Sequence, residues 1–354
     1  MSSPRVPRVI LTATPILIDQ NDDGPPGQDS PYIFGLYRHL AKDLGWDVKV
    51  VIPSSQKSWI GKAYHIHDVI NGRFYYPRGS DGAGETSEQS RPLRDGEIAE
   101  WILLDGTPAT CANIALHNLY HGDIDLVISG PNFGRNSSSA FALSSGTIGA
   151  AMSASLSRVR AIALSYGTVL HPTPVEFNEP AHILGAKIIQ HLWDNWGTDA
   201  DGGLRNGEVD LYNVNIPMVQ DLLSEEGLRI CWTNIWRNSY GRLFKAHEEE
   251  RAAEEAAQAM PAAVPDTPAD GQGAQSSGGV NEVAKPQDVG RLSFRWAPDM
   301  RGLIDPQLST LPVGSDGWAI RQGWASVTPI RASFAEPFSE PVVDIEEKIW
   351  RVKL

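Results

Sequence analysis

The feature that most narrows what this chain can fold into is the alternation of short apolar strands with helix-length segments through its first half. Extended signals at Arg8 to Leu11, Val48 to Ile52, Ile124 to Ser129 and Ala161 to Ser165 alternate with helical ones at Tyr32 to Leu44, Pro108 to Tyr120 and Thr147 to Ser157. Strand, helix, strand in succession specifies parallel pairing through crossovers. Strands such as Asp125-Leu-Val-Ile-Ser129 are apolar on both faces, as a sheet covered by helices on both sides requires. The expectation is an α/β protein with a doubly wound, mostly parallel sheet. A further helix is expected at Ala181 to Trp193, with later strands at Val209 to Pro217, Leu228 to Trp236 and Ala325 to Pro329. In open sheets of this kind ligands bind beyond the carboxyl ends of the strands, so motifs that follow strands matter most.

Composition bounds the function. The chain has 354 residues, 41% of them hydrophobic, and a formal charge of −13, which argues against a general nucleic-acid binder. An anionic ligand must therefore be held locally, by a helix N-terminus, a metal or single cationic side chains. Cys111 and Cys231 lie far apart in apolar surroundings and read as thiols in a reducing compartment. Arg5, Arg8 and the run from Val9 to Ile18 imitate a secretory signal poorly, because Thr12, Thr14 and Pro15 interrupt it and Asp19 closes it. No run reaches the roughly 18 apolar residues of a membrane helix. A soluble cytoplasmic protein is expected. From residue 246 to 291 the chain is acidic, then rich in Ala, Pro, Gly and Ser, and it reads as a disordered insertion. The expected organisation is a core over 5–245 and 292–338, the insertion between them, and a tail over 339–354.

The chemistry-bearing motifs follow the strands. Asn21-Asp22-Asp23-Gly24 places adjacent carboxylates where they can hold a hard divalent cation, although the same residues make a good turn. Ser58 and Lys62 follow the Val48 to Ile52 strand, and Lys62 can act as a point charge for phosphate or simply face solvent. Thr107-Pro108 has the grammar of a helix start, with Thr107 as cap. Asn132, in Ser129-Gly-Pro-Asn-Phe-Gly134, offers a neutral carbonyl oxygen to a cation. Ser144-Ser145-Gly146-Thr147 opens another helix on hydroxyls and a glycine, where backbone N–H groups can approach a phosphate. His65-Ile66-His67 alternates as on one face of a strand, and no zinc spacing is present. There is no Walker A loop, no Gly-x-Ser-x-Gly elbow and no Gly-x-Gly-x-x-Gly after the first strand, which sets aside P-loop, serine-hydrolase and Rossmann oxidoreductase readings.

Taken together and in order, Asn-Asp-Asp-Gly, Gln-Lys-Ser, Gly-Thr-Pro-x-x-Cys, Val-Ile-Ser-Gly-x-Asn-x-Gly and Ser-Gly-Thr-x-x-Ala-Ala resemble the SurE family of metal-dependent phosphatases and nucleotidases. The similarity continues through Tyr212-Asn-Val-Asn-Ile-Pro217, Ser315-Asp316 and Ala325-Ser-Val-Thr-Pro329, and has the look of eukaryotic, fungal-type members. The resemblance implies a three-layer α/β/α, Rossmann-like fold with a C-terminal extension used in oligomerisation. It implies hydrolysis of 5′- or 3′-nucleotides or similar small phosphate monoesters with Mg²⁺ or Mn²⁺, by a homodimer or homotetramer. Carried over to this chain, the metal ligands are Asp22, Asp23, Ser58 and Asn132. Asn21, Lys62, Thr107, Asn132, Ser145, Gly146 and Thr147 lie near the phosphate. Asp22 or Asp23 is catalytic as base or nucleophile, while the poor basicity of a metal-bound carboxylate favours activated water as the attacker.

Three departures stand out. The segment Ala13 to Gln20 separates Thr12 from Asn21 where the family pattern is continuous, so that either Val9 to Leu11 or Ile16 to Ile18 can fill the first strand. Gly61-Lys62-Ala63 replaces Gly-His-Ser, and the acidic insertion is foreign to compact members. The competing expectation is a catalytically impaired phosphate-binding module, its metal site disturbed by the Ala13 to Gln20 segment.

Overall fold

The computed structural model describes residues 6–12, 24–27, 30, 32–55, 57–168, 172–200, 202–246, 293–298 and 301–334. The chain divides into two compact units, Met1–Asn238 with Gln307–Leu354, and Ser239–Pro306. The larger unit contains strands β1 (Arg8–Thr12), β2 (Asp47–Pro53), β3 (Gly72–Pro77), β4 (Gly84–Ser87), β5 (Trp101–Leu104), β6 (Leu126–Phe133), β7 (Arg160–Thr168), β8 (Leu211–Met218) and β9 (Ile230–Trp232). In the smaller unit β10 (Phe244–Ala246) pairs antiparallel with β11 (Phe294–Trp296). The last strand of the larger unit is β12 (Ala325–Ile330).

These strands form a ten-stranded sheet in the order β4-β3-β5-β2-β1-β6-β7-β8-β12-β9. Every pairing from β5 through β2, β1, β6 and β7 to β8 is parallel. Antiparallel pairings flank this block, β3 with β5 on one side and β12 with β8 on the other. The helices are α1 (Ile33–Arg38), α2 (Pro108–Ile114), α3 (Ser139–Ser144), α4 (Gly146–Leu156), α5 (Asn178–Asp194), α6 (Arg301–Ile304) in the smaller unit, and α7 (Asp316–Arg321). Both α1 and α2 run on into a wider π-type turn, to Asp43 and Leu119 respectively.

The period-two alternation of the strands sorts their side chains between two cores. Val9, Leu11, Ile128, Leu164 and Val214 pack with Ile33, Leu36 and Ile189 under α1 and α5. Ile10, Val51, Val127 and Ala163 pack with Cys111, Ile148 and Ala151 under α2 and α4. The expected α/β/α layering is therefore present.

Most expected elements fall where the sequence put them. The first strand is Arg8–Thr12, paired on both sides; Ile16 to Ile18 lie outside the described residues. Other expectations need correction. His65 to His67 do not form a strand but a turn, closed by the Asp68 N–H donating to the His65 carbonyl at 3.2 Å and by the His65 ring against the Asp68 carboxylate at 3.1 Å. Of Leu228 to Trp236 only Ile230–Trp232 is extended, because only those residues find a ladder on β12 before Asn234 turns to the Gly314 carbonyl. The final strand runs one residue beyond Pro329, to Ile330. Strands β3, β4 and β5 were not expected. The insertion from residue 247 to 291 and the tail from 339 to 354 lie outside the described residues.

Candidate metal and phosphate site

The two faces of the sheet differ sharply at the carboxyl ends of the strands. On the α1/α5 face the side chains stay apolar to the end, with Tyr166, Ile216 and Met218 all fully buried. On the α2/α4 face the same level carries Thr12, Ser129, Ser165, Asn213, Asn215 and Ser326, each buried. Strand register aligns them in rows: Thr12 beside Ser129, and Ser165 beside Asn215 beside Ser326. Burying polar atoms is costly unless they are bonded, so such rows need partners that an apolar core does not supply.

Asn132 joins this face through a β-bulge. Between the pairs Ser129↔Ala163 and Asn132↔Ser165, β6 carries one residue more than β7. By simple alternation Ser129 and Asn132 would face opposite sides; the extra residue puts both on the polar face and turns Phe133 toward the α1/α5 core. Gly130 makes this possible, with φ at +121° and a Cβ position only 2.1 Å from the Leu164 carbonyl oxygen. Asn132 is fully buried, its Nδ2 donates to the Gly134 carbonyl at 2.6 Å, and its Oδ1 has no partner among the described residues. A buried, unpartnered amide oxygen is an acceptor waiting for a donor or a cation.

The remaining candidate residues come from loops around this face. Asn21, Asp22 and Asp23 lie outside the described residues. Their neighbour Gly24 is buried against the end of β2, its Cβ position 3.5 Å from the Ser54 carbonyl oxygen. The loop carrying Ser58 and Lys62 is pinned to the α3–α4 junction: the Gly61 N–H donates to the Ser144 carbonyl at 2.9 Å, and the Trp59 and Phe141 rings meet at 6.1 Å. Gly149 on α4 lets that loop come close, since a Cβ there would stand 2.3 Å from the Gly61 carbonyl oxygen. The Lys62 ammonium sits 4.7 Å over the Tyr64 ring, and the Tyr64 hydroxyl bonds Ser153 on α4 at 2.7 Å.

Thr107 caps α2 by accepting the Thr110 N–H at 3.1 Å, and its own hydroxyl donates to the Ala63 carbonyl at 2.7 Å. That hydroxyl ties α2 to the Ser58 loop. Ser145 caps α4 by accepting the Ile148 N–H at 3.3 Å, with Gly146 and Thr147 buried in the first turn. Ser58, Lys62, Thr107 and the Ser145–Thr147 turn thus belong to one connected set of loops and helix ends on the α2/α4 side.

Residues without an assigned role in the sequence reading hold the loop that follows Asn132. The Asn136 N–H donates to Asn215 Oδ1 at 2.7 Å, the Asn136 carbonyl accepts from Asn213 Nδ2 at 2.9 Å, and Asn136 Nδ2 donates to Ser165 Oγ at 2.8 Å. Asp316, wholly buried at the start of α7, accepts the N–H groups of Ser138, Trp236 and Gly317 at 2.7, 2.8 and 2.7 Å. Burial holds its carboxyl above the usual range against the pull of those donors. The signal was in the sequence as Asn-Val-Asn, two amides on one face of an otherwise apolar strand.

Among the described residues no group of three or more His, Cys, Asp or Glu could hold a metal. Asn132 Oδ1 is a neutral oxygen donor of the kind hard divalent cations take, while the expected ligands Asp22 and Asp23 lie outside the described residues. The unpartnered Asn132 oxygen fits such an ion.

A mostly parallel sheet with a polar face at the carboxyl ends of its strands and two capped helices on that side defines an α/β protein of the Rossmann-like class. The chain belongs to the SurE family: the family model described as survival protein SurE matches residues 16–242, beginning beyond β1. It is 31% identical over 341 residues to the Saccharomyces cerevisiae protein named probable tubulin–tyrosine ligase PBY1, covering 89% of this chain and 40% of that one. It is also 28% identical over 250 residues to the 5′-nucleotidase SurE of Carboxydothermus hydrogenoformans, covering 69% of this chain and 76% of that protein. The chain thus spans well under half of the yeast relative. The crystal structure of the SurE protein from Aquifex aeolicus matches with a TM-score of 0.53 at 20% identity, over 92% of this chain and 94% of that one, and shows the common fold.

Proposed function

We propose that this chain is a divalent-metal-dependent phosphomonoesterase acting on nucleotides or similar small phosphate esters. The observation that carries the reading is the buried Oδ1 of Asn132, unpartnered among the described residues and turned by the bulge onto the polar α2/α4 face of the sheet. Family membership supports it, as do the nucleotidase names of the bacterial relatives, and none of these relatives favours a catalytically impaired module.

Asp22, Asp23, Ser58 and Asn132 would hold the ion. When bound, a Mg²⁺ or Mn²⁺ ion supplies positive charge to a phosphoryl oxygen and acidifies water. The Ser145-Gly146-Thr147 turn presents the positive end of α4 to the phosphate, and Gly146 leaves room for backbone approach. Lys62 supplies a cation beside the Tyr64 ring, and Asp22 and Asp23 act through the ion they would hold, since a metal-bound carboxylate is a poor base. Thr107 acts here by fixing the Ser58 loop.

Assembly as a homodimer or homotetramer is part of the proposal. It is supported by the exposed Phe244 and Phe294 on the β10–β11 ribbon, since two strands alone are marginal in water. The free thiols of Cys111 and Cys231 favour a reducing compartment such as the cytoplasm. Among the described residues no helix is long and apolar enough to cross a membrane.

The test is phosphate release from 5′- and 3′-nucleotides and an aryl phosphate, with and without Mg²⁺ or Mn²⁺. Metal-dependent release is expected, and Asp22→Asn or Asp23→Asn should each lower it at least about 100-fold with circular dichroism unchanged. No release from either the full chain or a form lacking Ala13 to Gln20 would overturn the reading.

A further inference from the structure

Asparagine is depleted in strands, and a buried amide must bond at both ends to be free of cost. Yet β8, an interior strand, carries Asn213 and Asn215 on the polar face, both fully buried. Each spends one amide atom on the same residue. Asn215 offers its oxygen to the Asn136 N–H, and Asn213 offers its nitrogen to the Asn136 carbonyl. The orientation of both amides is fixed by chemistry, because a backbone N–H needs an acceptor and a carbonyl needs a donor.

Asn136 is gripped from both sides, as a residue in a ladder would be, although it lies past the end of β6. The grip is next to Asn132. Ser165, which accepts from the Asn136 side chain, is the register partner of Asn132 on one side and of Asn215 on the other. The loop back to Asn132 is short, and the Gly134 carbonyl within it accepts the Asn132 Nδ2. That bond sets which way the Asn132 amide points, leaving Oδ1 for the site. The cost of the grip remains visible: Asn213 Oδ1 and Asn215 Nδ2 are buried without partners among the described residues.

We propose that Asn213 and Asn215 are positioning residues for the metal centre, clamping Asn136 so that Asn132 Oδ1 is held toward the ion. This rests on the metal-site reading above. Residues that orient a metal ligand typically contribute 10- to 100-fold in affinity.

The test is Mn²⁺ binding to this chain by calorimetry and by electron paramagnetic resonance, with thermal melting alongside. Asn213→Ala and Asn215→Ala should each weaken Mn²⁺ binding about 10-fold or more while KM for an aryl phosphate at saturating metal stays unchanged. An isosteric pair separates orientation from packing and serves where an alanine variant fails to fold. Asn215→Asp keeps an acceptor at the Asn136 N–H and should bind Mn²⁺ better than Asn213→Asp, which sets an acceptor against the Asn136 carbonyl. Equal affinities for the two Asp variants, or alanine variants that melt lower yet bind Mn²⁺ like the unmodified chain, would overturn the inference. If Asn132→Ala abolishes binding while those variants bind normally, only the clamp is lost. If the unmodified chain binds no Mn²⁺, the metal-site reading falls with it.

Discussion

At the residue scale, the candidate site turns on positions where one atom decides the outcome. Gly130 is the plainest, since its left-handed φ and the 2.1 Å separation between its Cβ position and a neighbouring carbonyl admit no side chain. Gly130→Ala should lower stability by about 3 kcal/mol or more, read as a shifted urea midpoint, because backbone on both strands must move. Stability within about 0.5 kcal/mol of the unmodified protein would show that the bulge can relax. Asn132 was legible as a candidate ligand from its place after a strand. Its direction was not, since the alternation of β6 breaks at Gly130-Pro131 and nothing local in the sequence marks which face the chain resumes on. The amides of β8 were legible only as an oddity. Their partner lies far away in sequence, and pairing at that distance is a property of the fold.

At the scale of elements, the loop bearing Ser58 depends on α4. Gly149→Ala suits the helix itself, alanine being the better helix former by about 1 kcal/mol. Its methyl group would nevertheless stand 2.3 Å from the Gly61 carbonyl oxygen and 2.9 Å from Lys62 Cα, so the loop must retreat. Mn²⁺ affinity should fall about 10-fold or more with helix content unchanged, as expected when a ligand is displaced by about 1 Å. Unaltered Mn²⁺ binding would remove Ser58 from the ligand set. The central strands and helices could be read in advance because their apolar runs are long and their caps conventional, Thr107 and Ser145 among them. β5 escaped notice because Trp-Ile-Leu-Leu is too short for its period to tell strand from helix. β4 was missed because it sits at the sheet edge with exposed residues, and β3 because its buried run is only Tyr75 to Pro77, too short to set a period.

For the whole molecule, acid stability should be governed in part by the α1/α5 layer. His182 is buried against Gly35 and Tyr166, and burial, aided by His39 and Arg38, pushes its pKa down to about 3 from the ordinary 6.5. The folded chain keeps this ring neutral while the unfolded chain protonates it below 6.5. The stability it confers is therefore complete above that pH and lost as pH falls toward 3. The loss from this group approaches about 1.4 kcal/mol per pH unit in that window. The unfolding free energy measured from pH 7 to pH 4 should decline, and His182→Gln should make the decline shallower; an unchanged pH dependence would place the proton uptake elsewhere.

The layer holding His182 is also the one whose sheet face stays oily up to the strand tips, while the opposite face gives up cohesion there to house hydroxyls and amides. Cohesion and reactivity are thus kept in separate compartments. An engineer could harden the α1/α5 side by repacking and leave the reactive chamber untouched, whereas filling the chamber with hydrocarbon would trade turnover for robustness.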